Sequence, residues 1–146
     1  MSQTVLIVED ENVTRDILVT WLEEAGYDTC SAGNGLEGLL EAKEKAPDLV
    51  VADIMMPQMD GYELCKLMRQ LSSTPFMFLT GFGTEDHKRQ GFRLGANEFL
   101  VKPVDMDVFL QRVSELLSKS YPPTPPTIEP FRRIDREEKQ DGSTSI

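Results

Sequence analysis

The sequence has few of the side chains that bind zinc or form disulfides. Among its 146 residues are two cysteines and one histidine. Cys30 and Cys65 lie neither in a CxxC pair nor in a cluster with His87, which argues against a structural zinc site. Both cysteines fall within apolar stretches, so we interpret them as reduced core residues of an intracellular protein.

Basic residues and long apolar runs are also scarce. Lys and Arg number 15 against 25 Asp and Glu, which gives a formal net charge of −10 at pH 7. Such a chain is not expected to bind nucleic acid or an anionic membrane surface through its own residues. There is no signal-peptide pattern, and no run approaches the roughly 18 apolar residues of a membrane span. We therefore expect a cytoplasmic protein.

What the sequence does contain is a regular alternation of short apolar runs and helical patterns. The predicted strands cover residues 4–8, 27–32, 48–52, 76–79 and 98–101. The predicted helices cover residues 13–25, 34–45, 61–71, 84–94 and 105–119, with Gly26 as the cap that ends the first. Four of the five runs are nearly continuous in hydrophobic residues, which is typical of parallel strands buried on both faces. The pattern predicts an α/β fold of the (βα)5 type, a three-layer sandwich with a parallel five-stranded sheet.

The composition changes near residue 120. The segment 121–146 begins with "YPPTPPTIEP" and continues as a charged stretch without apolar periodicity. We expect one folded domain over residues 1–120, followed by a Pro-rich, charged linker or disordered tail over residues 121–146.

Reactive side chains follow the ends of the predicted strands. Glu9 and Asp10 follow the first strand, Asp53 the third, Thr80 the fourth and Lys102 the fifth. The carboxyl ends of parallel strands share one edge of the sheet, so these side chains are predicted to converge. Clustered carboxylates must take up protons or bind a cation, and oxygen ligands favour Mg²⁺ or Mn²⁺. A metal ion and a lysine there could neutralise a phosphoryl group arriving at a carboxylate nucleophile.

Four segments carry a resemblance to a known family. "VLIVEDE", "VVADIMMPQMDG", "FLTG" and "FLVKP" stand in this order at the four strand ends. Together they closely resemble the receiver domain of two-component response regulators over about residues 3–119. The resemblance implies a flavodoxin-like sheet with strand order 2-1-3-4-5.

The resemblance also implies roles for individual residues. Asp53 would be the phosphoacceptor, and Lys102 would pair with a phosphoryl oxygen. Glu9, Asp10, Asp53 and the backbone carbonyl of Met55 would hold Mg²⁺, with Mn²⁺ as an alternative.

A second set of implied roles concerns switching. Thr80 would turn its hydroxyl toward the phosphoryl group, and the Gly81 backbone N–H would lie close to that group. Phe99 would be an aromatic switch whose ring changes between exposed and buried positions. The peptide bond between Lys102 and Pro103 would be cis, which would aim the lysine inward.

The implied function is signalling, with catalysis limited to the domain's own phosphorylation and dephosphorylation. The implied partners are a sensor histidine kinase or phosphotransfer protein, and an output domain or effector beyond the linker. A phosphorylation-dependent homodimer stays open, and no direct contact with nucleic acid or membrane is expected. One alternative is a phosphorylation-independent adaptor on the same fold. Another is a Mg²⁺-dependent phosphohydrolase, which is disfavoured because Met55 stands where its second acid would be needed.

Overall fold

A computed structural model describes residues 2–118 and shows five strands alternating with five helices. The strands are β1 (Thr4–Val8), β2 (Asp28–Ala32), β3 (Leu49–Ala52), β4 (Phe76–Thr80) and β5 (Glu98–Val101). The helices are α1 (Asn12–Glu24), α2 (Gly35–Lys45), α3 (Gly61–Leu71), α4 (Glu85–Arg93) and α5 (Met106–Ser118). Each predicted element is present, with ends that differ by no more than one residue. The predicted tail, residues 121–146, lies outside the described residues.

The five strands form one parallel sheet in the order β2-β1-β3-β4-β5. This order confirms the fold implied by the resemblance. Alternate side chains of the central strands enter two separate cores, because successive residues of a strand point to opposite faces. One core contains Leu6, Val50 and Phe78 with residues of α2 and α3, and the other contains Ile7, Val51 and Met77 with residues of α1 and α5. The sheet is therefore the middle of three layers. No helix within residues 2–118 is long and apolar enough to cross a membrane.

Side-chain caps set the starts of four helices. The side chain before each of α2, α3, α4 and α5 accepts a hydrogen bond from the backbone N–H three residues later; these residues are Asn34, Asp60, Thr84 and Asp105. Gly26 follows α1 with φ of +98°, which agrees with its predicted role as a cap.

The two cysteines differ in burial. Cys65 is fully buried, and burial raises the pKa of its thiol to about 11. Cys30 is only partly buried, because β2 is an edge strand with one open side. The prediction of a core cysteine is therefore confirmed for Cys65 and only partly for Cys30. Both thiols are free.

The residue that ends α2 gives a first testable prediction. Ala46 has φ of +48° in the left-handed region, where its Cβ is strained. Replacing Ala46 by glycine should remove this strain and raise the free energy of unfolding by about 0.5–1 kcal/mol, as measured by urea denaturation. Ala25→Gly is the matched control, because Ala25 caps α1 in an ordinary helical conformation. That variant should lose stability, and a loss in Ala46→Gly as well would contradict the assignment of strain.

Candidate functional site

The carboxylates of Asp53 and Glu9 lie at the carboxyl edge of the sheet, one residue beyond neighbouring strands. The Asp53 backbone N–H donates to the carbonyl of Val8 at 3.1 Å, and the Glu9 N–H donates to the carbonyl of Ala32 at 3.0 Å. Both acidic residues therefore continue the hydrogen-bond ladder just past the last strand residue. The rigid sheet, and not a loop, fixes their positions.

A single lysine joins these two acids. The Nζ atom of Lys102 donates to Oε1 of Glu9 at 2.8 Å and to Oδ2 of Asp53 at 2.9 Å. Lys102 follows β5 directly, its backbone N–H donates to the Thr80 carbonyl at 2.8 Å, and its bond to Pro103 is cis as the resemblance implied. The side chains of Glu9 and Asp53 are only 4% and 11% exposed. Two largely buried carboxylates thus share one ammonium group, which leaves an excess negative charge.

The pKa shifts of Glu9 and Lys102 reflect this shared lysine. Burial raises the pKa of Glu9 above its ordinary value, and its bonds to Lys102 and the Glu11 N–H offset burial only in part. Burial alone would lower the pKa of Lys102, but its hydrogen bonds and attraction to both carboxylates outweigh burial and raise it. Lys102 gains attraction from two anions, whereas Glu9 gains it from one cation. The lysine therefore stays charged, whereas ionisation of Glu9 is disfavoured relative to its ordinary pKa.

The other carboxylate oxygens are bonded to the backbone. Oε2 of Glu9 accepts from the N–H of Glu11 at 3.2 Å, and Oδ1 of Asp53 accepts from the N–H of Ile54 at 2.6 Å. Asp10, by contrast, is exposed, and within residues 2–118 its side chain has no hydrogen bond or ion pair. The same part of the chain holds no group of three or more His, Cys, Asp or Glu side chains arranged around a metal position. The structure thus brings together Glu9, Asp53 and Lys102 of the predicted set, and leaves the Asp10 carboxylate outside their contact.

The chemistry of the site fits Mg²⁺. Its donors are hard carboxylate oxygens, and the two buried carboxylates are compensated by only one ammonium group. A divalent cation would remove the remaining charge, and the exposed Asp10 carboxylate next in the chain could supply a third ligand. Met55 has an exposed side chain without oxygen atoms, so the backbone carbonyl is the one oxygen it could offer.

Of the predicted switch residues, Thr80 is bonded to the backbone of Lys102, and Phe99 lies in the core on one face of the sheet. Thr80 ends β4 and is fully buried, and its hydroxyl accepts from the Phe82 N–H at 3.2 Å. The ring of Phe99 is buried and contacts the rings of Phe78 and Phe92. A Cβ added at Gly81 would meet nothing within 4 Å, so steric crowding does not require glycine there.

One glycine that positions the site was not recognised from the sequence. A Cβ on Gly61 would lie 2.1 Å from the carbonyl oxygen of Asp53, and the Gly61 N–H donates to the Ile54 carbonyl at 2.8 Å. The first residue of α3 therefore packs directly on the backbone that carries Asp53. From the sequence Gly61 is predicted only to begin the third helix, and the fold shows that this close approach requires a glycine there.

The sequence of the chain is similar to that of a known protein family over most of its length. The family model described as "Response regulator receiver domain" matches residues 5–114. The chain is 37% identical over 119 residues to the "DNA-binding dual master transcriptional regulator RpaA" of Synechocystis, covering 80% of this chain and 49% of that protein. It is 39% identical over 115 residues to the "Transcriptional regulatory protein CusR" of Escherichia coli, covering 78% of this chain and 51% of that protein. The chain thus spans about half the length of the curated relatives it matches.

Two solved structures show the same arrangement. A putative response regulator from Chloroflexus aurantiacus superposes with a TM-score of 0.78 at 34% identity, covering 82% of this chain and 100% of that one. The chemotaxis protein CheY4 of Vibrio cholerae gives a TM-score of 0.75 at 30% identity, covering 80% of this chain and 100% of that one. Each of the two likenesses covers at least four fifths of this chain.

Proposed function

Because the chain belongs to the family of response regulator receiver domains, we propose that it accepts a phosphoryl group on Asp53 and thereby controls an output domain or a partner protein. The observation that carries this proposal is the Lys102 ammonium held between the carboxylates of Glu9 and Asp53 at the edge of the sheet. The phosphoryl donor would be a sensor histidine kinase or a phosphotransfer protein. The reaction would require Mg²⁺ or Mn²⁺.

The transfer itself would use the nucleophilic carboxylate of Asp53. One of its oxygens attacks phosphorus, the new O–P bond forms, and the bond to the donor nitrogen breaks, with the leaving imidazole taking up a proton. Lys102 already bonds this carboxylate, so its ammonium would lie within reach of a phosphoryl oxygen. When bound to Glu9, Asp10, Asp53 and the Met55 carbonyl, Mg²⁺ would add positive charge that stabilises the phosphoryl oxygens. The protein would in this way catalyse only its own modification.

The response to phosphorylation would begin at Thr80. Its hydroxyl would leave the Phe82 N–H and donate to a phosphoryl oxygen, drawing the β4–α4 connection inward. Phe99 would follow, since its ring packs beside α4, where a Cβ on Gly91 would lie 3.1 Å from it. The resulting population shift would change the surface formed by α4, β5 and α5.

The output of the switch would lie beyond the receiver. We assign residues 1–120 to the receiver domain and residues 121–146 to a linker or tail. Relatives about twice as long are named transcriptional regulators, so a DNA-binding output reached through residues 121–146 is one form of this proposal. The described domain is acidic and would contact protein partners instead.

A phosphorylation-independent adaptor is the second candidate. It is favoured by the fact that each oxygen of Glu9 and Asp53 already has a donor within the chain, with Asp10 outside the cluster. In that case Lys102 would serve as a structural counter-ion, and the surface would bind its partner in one fixed state.

Intact mass measurement after incubation with acetyl phosphate separates the two candidates. The full chain should gain one phosphoryl group with Mg²⁺ present, and none when a chelator replaces the metal. No gain under either condition would exclude the switch and favour the adaptor.

A further inference from the structure

The backbone carbonyl of Glu9 has an unusual hydrogen-bond donor. In the register of β1 and β2, Val8 pairs with Ala32, so the next donor to the Glu9 carbonyl in a regular parallel ladder would be the N–H of Asn34. However, β2 ends at Ala32, and the chain turns there toward α2. The Nη1 atom of Arg15 takes the place of that backbone donor, at 2.7 Å from the Glu9 carbonyl oxygen.

Two hydrogen bonds, to the Glu9 carbonyl and to Asn12, hold the Arg15 guanidinium in place. Its Nη2 atom donates to the side-chain oxygen of Asn12, on the first turn of the same helix. A Cβ on Gly33 would lie 3.5 Å from Nη1, an ordinary contact distance, so the guanidinium lies beside the chain that follows β2. Among the described residues, Arg15 forms no ion pair with a carboxylate. The Arg15 guanidinium thus supports the backbone at Glu9 and does not act as the counter-ion of a carboxylate.

The hydrogen bond from Arg15 to the Glu9 carbonyl also constrains the backbone of Asp10. The Glu9 carbonyl belongs to the planar peptide unit that joins Glu9 to Asp10, so fixing the oxygen also fixes the plane that holds the nitrogen and Cα of Asp10, from which its side chain starts. The Asp10 side chain is exposed and has no bond of its own within residues 2–118. The Glu9 side chain, by contrast, is tied to Lys102 and to the Glu11 N–H. Asp10 therefore depends on its backbone for orientation.

We propose that Arg15 is a positioning residue for Mg²⁺: by holding the Glu9–Asp10 peptide it aims the Asp10 carboxylate at the metal position beside Asp53. This role rests on the proposed function, since it requires the metal that phosphorylation of Asp53 would use. It extends that function to a residue on α1 that touches neither the metal nor the phosphoryl group.

An effect through charge and an effect through positioning predict opposite changes in Mg²⁺ affinity when Arg15 is replaced. A guanidinium near a metal repels the metal, so its loss through charge alone would strengthen Mg²⁺ binding. Loss of the support would weaken Mg²⁺ binding, as removal of residues that orient metal ligands does. Arg15→Met removes both charge and donors at similar length. Arg15→Lys keeps the charge and one donor, and should restore part of the affinity.

The test is a Mg²⁺ titration of the ¹⁵N-labelled full chain followed by NMR, without any phosphodonor. We expect Arg15→Met to bind Mg²⁺ about tenfold more weakly than the unmodified chain, with Arg15→Lys between them. Arg89→Met is the matched control, because Arg89 is exposed on α4 and within residues 2–118 its one ion pair is with Asp86. It should bind Mg²⁺ like the unmodified chain. Amide dispersion and thermal unfolding of the same samples show whether each variant is folded.

The outcomes separate this role from the function on which it rests. Equal or tighter binding by Arg15→Met, with normal binding by the unmodified chain, would overturn the role of Arg15 and leave the proposed function standing. Failure of the unmodified chain to bind Mg²⁺ would overturn the metal site, and the role of Arg15 with it. If Arg15→Met does not fold, weaker binding by Arg15→Lys supports the role and unchanged binding overturns it.

Discussion

Asp53→Asn is expected to take up no phosphoryl group from acetyl phosphate at any Mg²⁺ concentration, while the domain stays folded. An amide is a very poor nucleophile compared with a carboxylate, so the O–P bond cannot form at this position. Asparagine has nearly the same shape, and its amide oxygen can still accept from the Ile54 N–H. Removing one of the two carboxylates that share Lys102 also lowers the negative charge of the site. The variant should therefore be at least as stable as the parent chain.

Intact mass and peptide mapping after acetyl phosphate treatment measure this effect. Asp16→Asn is the matched control, because Asp16 is an exposed aspartate on α1 and the chemical change is identical. The control should be modified like the parent chain. Phosphorylation of Asp53→Asn on another residue would show that the phosphoacceptor has been assigned to the wrong carboxylate.

Lys102→Met should cause a large loss of stability. It leaves the carboxylates of Glu9 and Asp53 side by side and largely buried without their shared cation. Removing one partner from a fully buried ion pair costs roughly 3–5 kcal/mol. Since the Lys102 side chain is partly exposed, we expect the free energy of unfolding to fall by about 2 kcal/mol at pH 7 in the absence of metal.

The loss of unfolding free energy in Lys102→Met should depend on pH. The pKa of Lys102 is raised above its ordinary value of 10.5, so the stability it contributes is complete below that pH and lost as the pH rises through its folded value. On the acid side, the pKa of Glu9 lies above its ordinary 4.5, and protonated Glu9 needs no counter-ion. The difference between Lys102→Met and the parent chain should therefore be greatest near neutral pH. It should shrink as the pH falls toward 4.5.

Urea denaturation across this pH range, with a chelator present, gives the comparison. Lys66→Met is the control, since Lys66 is exposed on α3 and forms no ion pair within residues 2–118. It should change stability little at any pH. A Lys102→Met variant as stable as the parent chain at pH 7 would mean that solvent, and not Lys102, compensates the two carboxylates.

The order and type of the elements could be predicted because they depend on short stretches of chain. Continuous apolar runs such as Leu49–Ala52 and capping residues such as Asn34 act through neighbours in the sequence. The strand order and the roles of Asp53 and Lys102 could be predicted only from the resemblance to a known family, which four separated motifs carry. The structure confirms the strand order and places Lys102 against Asp53, although the two are 49 residues apart.

The amino-acid sequence by itself determined the alternation of strands and helices and which polar residues follow the strand ends, because hydrophobic periodicity and capping are local. Only the tertiary structure decided that Lys102 bridges Glu9 and Asp53 while Asp10 stays exposed, since these contacts depend on how three separate strands align. It also decided that Gly61 must lack a side chain and that Arg15 completes the ladder at Glu9. In the sequence Arg15 is only a charged residue on an amphipathic helix, and it bonds the Glu9 carbonyl because β2 ends at Ala32, two residues before the Asn34 N–H that would donate in a continued ladder.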